Sequence, residues 1–311
     1  VAEWQQQFGR PIPAWPGPAK WDAYAALPGL KSMRDYDSVY HVIAVGNSLY
    51  FSSNRNCGVT SLDARNGGIN WQFSTEVPVR IAPTFDDGRI YFGDDSGTAY
   101  CLNADTGQVI WTFSPHAGER LVIHEGKFIS FYPIRTGILV RDGQAYFGAS
   151  FLPWKSSFLY SVNAKTGKLT GSKSFARDLG EGWTLEGAML ASESSLIMPQ
   201  GRVSPLLFSR EDGSPQGTLE GGGGSFCLLT EDDRVLHGPG NKTGWITDSD
   251  AGSRAKVASY EKGNSIVVKG DTAFLLGERS LTAFDRSSQA VIWSREVDTP
   301  FTVIQAGSHL I

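Results

Sequence analysis

Two arginines occupy the same position relative to a recurring strand pattern of the type "DDGRIYFG". Arg80 lies in "VRIAP" and Arg135 in "IRTGI", each a few residues before a copy of that pattern. The same position holds Glu186, Ser225 and Asn264 in later copies. Around a narrow central funnel, two guanidinium groups and a carboxylate would recognise an anion or a carboxylate ligand, because arginine makes bidentate contacts. The alternative is that both arginines form salt bridges with Glu186, or bonds to backbone carbonyls, between neighbouring sheets.

Other residue types that catalyse reactions or bind metals do not form a recognisable motif. The sequence lacks the nucleophile elbow, the zinc-protease helix motif, the P-loop and the dinucleotide fingerprint. Its five histidines are scattered, so no catalytic residue and no metal site is predicted. Asp94 and Asp95, in "DDSG", are predicted to lie in a solvated hairpin turn.

Three cysteines are present, Cys57, Cys101 and Cys227, and no two of them are adjacent or in a CxxC motif. So few cysteines cannot form a disulfide framework, and small buried side chains are the expected role. One bridge, between Cys57 and Cys101, is the remaining alternative.

A turn motif repeats along the chain and indicates the elements that position these residues. "LDARNG", "LNADTG" and "VNAKTG" are clear copies, while "FSREDG", "TDSDAG" and "FDRSSQ" are weaker ones. The copies recur at intervals of about 40 to 60 residues, each preceded by alternating apolar and polar residues typical of antiparallel strands. This pattern predicts an all-β protein, a β-propeller of four-stranded antiparallel blades.

Six complete blades can be identified, with inner strands beginning near residues 41, 82, 137, 188, 227 and 265, and a partial seventh follows. A ring of seven to eight blades is expected. The acidic or amide residue of the motif should form an Asx-type turn, with glycine in the left-handed position. Trp71, Trp111 and Trp293 should then dock between adjacent blades.

The expected organisation is a proline-rich extended segment over residues 1–38 and a propeller over residues 39–311. The propeller is either an incomplete ring or a fragment of a longer protein. Residues 114–136 and 176–186 are predicted insertions between blades, where binding surfaces often lie.

Composition limits the classes of partner. The net charge is −4, with 41% hydrophobic residues and 19% charged residues, and the sequence contains no basic run. Nucleic acid is therefore an unexpected partner. No apolar run is long enough for a membrane span.

"LNADTGQVIW" and "LDARNGGINW" resemble the repeat of the pyrroloquinoline-quinone-like (quinoprotein-type) β-propeller family over about residues 40–311. The order of motifs looks most like secreted bacterial quinoprotein-like propellers, and the outer-membrane assembly lipoprotein shares the repeat. The resemblance implies export to the periplasm or the extracellular space. Quinoprotein alcohol dehydrogenases also share it, and they hold pyrroloquinoline quinone on calcium beside an adjacent cysteine pair. This chain lacks that pair.

We therefore predict a non-catalytic, exported scaffold without a cofactor, which is monomeric or part of a longer polypeptide. Its partner would be a protein or a small anionic ligand bound at the funnel. The alternative is an alcohol or sugar dehydrogenase that depends on pyrroloquinoline quinone and Ca²⁺.

Overall fold

The computed structural model describes residues 4–9, 41–124, 126–200, 203–221, 223–224, 226–238, 245–298 and 303–310. Within these residues every regular element is a strand, and no helix could cross a membrane. Ser225 and nearly all of the proline-rich segment lie outside the described residues.

The chain divides into two compact units, residues Val1–Met189 and Leu190–Ile311. The first unit contains three four-stranded antiparallel sheets in simple sequential order and one two-stranded hairpin. Its strands are β1 (Val42–Val45), β2 (Ser48–Ser53), β3 (Gly58–Asp63), β4 (Ile69–Ser74), β5 (Thr84–Asp86), β6 (Arg89–Gly93), β7 (Ala99–Asn103), β8 (Val109–Phe113), β9 (Leu121–His124), β10 (Lys127–Ser130), β11 (Leu139–Arg141), β12 (Gln144–Ala149), β13 (Ser157–Asn163) and β14 (Phe175–Gly180).

The second unit repeats the arrangement with three further four-stranded sheets and a short terminal hairpin. Its strands are β15 (Leu190–Ala191), β16 (Ser195–Gln200), β17 (Val203–Ser209), β18 (Pro215–Thr218), β19 (Phe226–Leu229), β20 (Arg234–Gly238), β21 (Ile246–Asp250), β22 (Lys256–Tyr260), β23 (Ser265–Lys269), β24 (Thr272–Leu276), β25 (Ser280–Asp285), β26 (Val291–Glu296), β27 (Gln305–Ala306) and β28 (His309–Leu310). We number the six four-stranded sheets as blades 1 to 6. The predicted fold class is confirmed, and each inner strand begins within two residues of its predicted start.

One prediction about the insertions is wrong. Residues 175–180 are not an insertion but the outer strand β14 of blade 3. The added residues precede it, between the turn at Gly167 and Phe175, so that Phe175 pairs with Ser161 in register. The insertion at 114–136 is present and contains the hairpin formed by β9 and β10.

The hydrophobic cores lie between neighbouring blades, as expected for sheets that bury their faces against each other. One cluster joins blades 1 and 2 around Phe92, and another joins blades 2 and 3 around Phe147. In the second unit, equivalent clusters contain Leu207 and Leu236.

Tryptophan docking links the blades of the first unit through one repeated contact. The indole N–H of Trp71 donates to the carbonyl of Ala104 at 2.8 Å, and that of Trp111 donates to Ala164 at 2.8 Å. The glycine of each receiving turn makes room for the ring. At Gly107, with φ +69°, a Cβ atom would lie 2.8 Å from Trp71. Asn103 shapes that turn by accepting two backbone N–H groups.

The N-terminal residues make the same contact on blade 1. Trp4 donates to the carbonyl of Ala64 at 2.9 Å and covers Gly67 in the same way. Residues 4–9 therefore supply to blade 1 the tryptophan that a preceding blade would supply. Trp293, in blade 6, is half-buried against Phe274 of its own blade, and its docking between blades stays a prediction.

Blade 5 replaces this contact with an ion pair. Ala258 stands opposite Asp248, where blade 1 places Trp71 opposite Ser61. On blade 6, Arg286 stands where the turns of blades 1, 2, 3 and 5 have alanine, and its guanidinium lies 3.6 Å from the Asp248 carboxylate. Arg234 donates to both oxygens of that carboxylate. The small residue, Ala258, thus lies on blade 5 and the large one, Arg286, on blade 6, the reverse of the arrangement between blades 1 and 2. An ion pair takes the place of the tryptophan contact.

Candidate functional site

Arg80 and Arg135 come together in the first unit on a residue that the sequence analysis placed elsewhere. Arg80 Nε donates to Oδ2 of Asp95 at 2.8 Å. Arg135 Nε and Nη2 donate to its two carboxylate oxygens at 2.9 and 3.0 Å. All three side chains are buried. We call Arg80, Asp95 and Arg135 the Asp95 cluster.

The prediction of a solvated "DDSG" turn is wrong, because Asp94 and Asp95 are each only 1% exposed. The turn follows β6, and Asp94 Oδ1 shapes it by accepting the backbone N–H groups of Ser96 and Thr98. Gly97, at φ +80°, closes the turn where a Cβ atom would lie 2.6 Å from the carbonyl oxygen of Tyr132. A side chain larger than hydrogen would therefore push this turn away from the insertion.

The turn also connects the segments that carry the arginines. The backbone N–H of Asp95 donates to Pro78, two residues before Arg80. The carbonyl of Asp94 accepts from Ile134, the residue before Arg135, and the carbonyl of Asp95 accepts from Ser130. The cluster is thus held at the ends of blades 2 and 3 and at the base of the insertion.

The two neighbouring aspartates have opposite electrostatic environments. Burial raises the pKa of Asp95, but the charges and hydrogen bonds of Arg135 and Arg80 outweigh burial, so its pKa lies below the ordinary value. No cation among the described residues contributes to the pKa of Asp94. Burial raises the pKa of Asp94 to about 6, although the hydrogen bonds from Ser96, Thr98 and Tyr100 act in the other direction.

The remaining predicted funnel residues are placed differently. Glu186 lies 3.6 Å from Arg135 Nη1, and its side chain is 45% exposed. The ring of Phe151 covers the Arg135 guanidinium at 5.1 Å. Asn264 belongs to the second unit, where it is exposed and its backbone N–H donates to Leu276. The first unit therefore brings together Arg80, Arg135 and Glu186 with Asp95.

Asp95 is the functional-site residue that sequence reasoning missed. Two arginines at equivalent positions need a buried anion if they are not exposed, because buried charges are paired. Directly after its second strand, blade 2 has the acidic pair Asp94-Asp95, whereas blade 1 has Ser53-Asn54 and blade 3 has Ala149-Ser150 at the same point. Two arginines at equivalent positions, together with one acidic pair at a nearby strand end, could have indicated that Asp95 is their partner.

The described residues do not fit the quinone and calcium site of a dehydrogenase. They contain no group of three or more His, Cys, Asp or Glu side chains that could hold a metal ion. The cysteines are free thiols on separate elements, so the alternative Cys57–Cys101 bridge is not formed. The buried carboxylate of Asp95 already pairs with two guanidinium groups, so it is not available as a calcium ligand. We derive no reaction step that uses pyrroloquinoline quinone or calcium.

A family model described as the outer membrane protein assembly factor BamB matches residues 4–203. The chain belongs to this family. Its repeat is the pyrroloquinoline-quinone-like repeat predicted above, so the resemblance is confirmed.

Curated relatives match shorter parts of the chain. A dehydrogenase subunit of quinone alcohol dehydrogenase from Gluconobacter oxydans is 27% identical over 137 residues, which is 40% of this chain and 17% of the relative. Tetrathionate hydrolase from Acidithiobacillus ferrooxidans is 32% identical over 54 residues, or 17% of this chain and 11% of the relative. These matches span less than a fifth of the relatives' length.

Solved structures show the fold alone, because identities are low. BamB from Moraxella catarrhalis superposes with a TM-score of 0.58 at 13% identity, covering 87% of this chain and 77% of that one. Quinohemoprotein alcohol dehydrogenase from Comamonas testosteroni gives 0.60 at 12% identity, covering 85% and 62%. BamB and a quinohemoprotein alcohol dehydrogenase therefore both share this fold.

Proposed function

We propose that this protein is a non-catalytic, exported binding scaffold that recognises an acidic group of a protein partner beside Arg135. The observation that carries the proposal is that the Asp95 cluster is only partly neutralised by its own carboxylate. Its two arginines hold one fully buried carboxylate, which leaves one net positive charge at the edge of the cluster. Membership of the BamB family supports a protein partner and export.

Glu186 is the group that a partner would replace. Its carboxylate is nearly half exposed and lies farther from Arg135 than the carboxylate of Asp95 does. Exchange of Glu186 for a partner's carboxylate would keep the charge of the cluster balanced. The buried Arg135–Asp95 contacts would remain, so the site would be rigid before binding, which lowers the entropic cost of association.

Glu186→Gln tests this exchange. The variant should bind a hexaglutamate peptide several-fold more tightly than the wild type in fluorescence polarisation, because the competing internal carboxylate is gone. Glu181→Gln, at another exposed glutamate of the same loop, is the matched control and should not change affinity. Equal binding by both variants, or weaker binding by the first, would contradict the exchange.

A dehydrogenase is the second candidate, favoured by the relative from Gluconobacter oxydans. Purified protein is mixed with pyrroloquinoline quinone and Ca²⁺, desalted, and assayed for quinone absorbance and for dye reduction with alcohols. The scaffold proposal expects neither signal. Retained quinone together with alcohol-dependent dye reduction would overturn it.

A further inference from the structure

We propose that the insertion hairpin, β9 and β10, is a docking edge for an extended peptide segment of the partner, which adds as a third strand beside β9. The inference rests on the proposed binding function and names the surface and the chemistry of its partner. It is carried by the backbone and side chains of the hairpin, and the side chains of the Asp95 cluster take no part in it.

One face of the hairpin is apolar and exposed. Ile123 and Phe128 stand opposite each other in register, and Leu121 lies on the same face two residues before Ile123. Their exposures are 54% for Leu121, 72% for Ile123 and 65% for Phe128. Three large apolar side chains are thus exposed together on one face, and exposed apolar patches of this kind often mark interaction sites.

Within the described part of the chain, β9 pairs with β10 along one edge, and no strand pairs with its other edge. The N–H of Ser130 donates away from β9, to Asp95, so the Ser130–Leu121 pair is not hydrogen-bonded. Alternation in an antiparallel ladder makes Phe128–Ile123 the next pair of this kind. The N–H and C=O groups of Leu121 and Ile123 therefore point outward, and among the described residues no backbone group bonds to them.

The hairpin itself is firmly attached. Ile129, on its other face, is fully buried, and Lys127 donates to the carbonyl of Glu76 at 2.9 Å. A two-stranded sheet is marginal alone, and a third strand would satisfy its edge groups. The edge also lacks the proline and the inward-pointing charge that usually prevent such pairing.

The size of the patch favours a strand over a second folded copy. Three such side chains offer on the order of 300 Å², whereas a stable interface between globular proteins needs roughly 800 Å² from each partner. A segment of four or five residues with alternating apolar side chains matches both the four-residue length of β9 and the apolar face. The occupant is therefore an extended peptide with apolar residues at every second position.

A labelled seven-residue peptide of alternating valine and threonine is the probe. Wild-type protein should bind it, and the same peptide N-methylated on the amides of one edge should bind at least tenfold more weakly. Ile123→Pro removes the outward N–H and should also weaken binding at least tenfold, since proline is tolerated at such edge positions. Ile123→Thr and Phe128→Ser should each weaken it several-fold, while Ile69→Thr, at an exposed position of β4, should not.

Amide hydrogen exchange gives a second readout that does not depend on the variants. Bound peptide should slow exchange at Leu121 and Ile123. Absence of peptide binding, or equal binding of the N-methylated peptide, would overturn the inference. The inference would also be overturned if the protein does not bind the peptide but forms dimers or binds phospholipid vesicles, and Ile123→Pro abolishes that association. If the peptide does not bind but Glu186→Gln binds hexaglutamate more tightly, the docking inference fails and the proposed function stands. Quinone-dependent activity would instead reject the proposed function, whatever the result with the peptide.

Discussion

Replacing Arg135 by methionine should destabilise the protein strongly, because it leaves Asp95 buried with one arginine. Methionine keeps most of the side-chain volume and removes two hydrogen bonds to the carboxylate, at 2.9 and 3.0 Å. Breaking a buried ion pair by removing one partner costs about 3–5 kcal/mol. Arg80→Met removes the hydrogen bond from Arg80 Nε to the same carboxylate but leaves the two-bond contact of Arg135 in place, so we expect a smaller loss, about 2–3 kcal/mol.

The assay is urea unfolding followed by circular dichroism, with calorimetry as a second measurement. For a unit of this size, a loss of 3–5 kcal/mol lowers Tm by about 10 °C. Arg65→Met is the matched control, since Arg65 pairs with Asp63 at the surface with its side chain 70% exposed, and it should leave stability unchanged. An Arg135→Met variant as stable as the control would refute the reasoning, because it would show that Arg135 does not stabilise the buried charge of Asp95.

The sign of the pH dependence gives an independent check of the same prediction. The pKa of folded Asp95 is lowered, so its stabilising contribution is present above the ordinary aspartate pKa near 3.9 and is lost as pH falls through the folded value. The difference in unfolding free energy between wild type and Arg135→Met should therefore be full at pH 7 and shrink in strong acid. A difference that grows on acidification would contradict it.

Two other predictions concern neighbouring parts of the fold. Asp94→Asn should stabilise the protein by up to about 3 kcal/mol at pH 7.5, because the pKa of folded Asp94 is raised to about 6 and its stabilising effect is present only at lower pH. This advantage in urea unfolding should vanish near pH 4, and a pH-independent difference would contradict it. Arg286→Ala should cost about 3 kcal/mol by leaving Asp248 with one arginine, and adding Ala258→Trp should restore part of that loss by recreating the tryptophan contact. Additive losses in the double variant would show that Ala258 and Arg286 are not an exchanged pair.

The repeat determines much of what the sequence could predict. Blade boundaries follow from the turn motif because its acidic or amide residue, glycine and tryptophan each have a local physical role, as Asn103, Gly107 and Trp71 illustrate. The shared position of Arg80 and Arg135 was also readable, since both lie at a fixed distance before a repeated strand. The sequence could not show whether those arginines face a ligand or a carboxylate of the protein itself.

That question depends on which turn folds inward, and periodicity does not contain this information. Asp94 and Asp95 have the composition of a surface turn, and only the contact of Gly97 with the insertion shows that the turn is covered. The exchange of Ala258 and Arg286 could not be predicted for a related reason. Each substitution looks like a weak copy of the motif until the two are seen to face each other.

Titration of the Asp95 carboxyl group by carbon-detected NMR tests the central claim most directly. If two arginines neutralise this buried group within the fold, its carbon shift should stay that of an ionised carboxylate well below pH 3.9, while Asp94 titrates near pH 6 in the same spectra. An Asp95 that titrates at or above pH 4 would contradict the account. It would mean that the guanidinium groups of Arg80 and Arg135 are not committed to it.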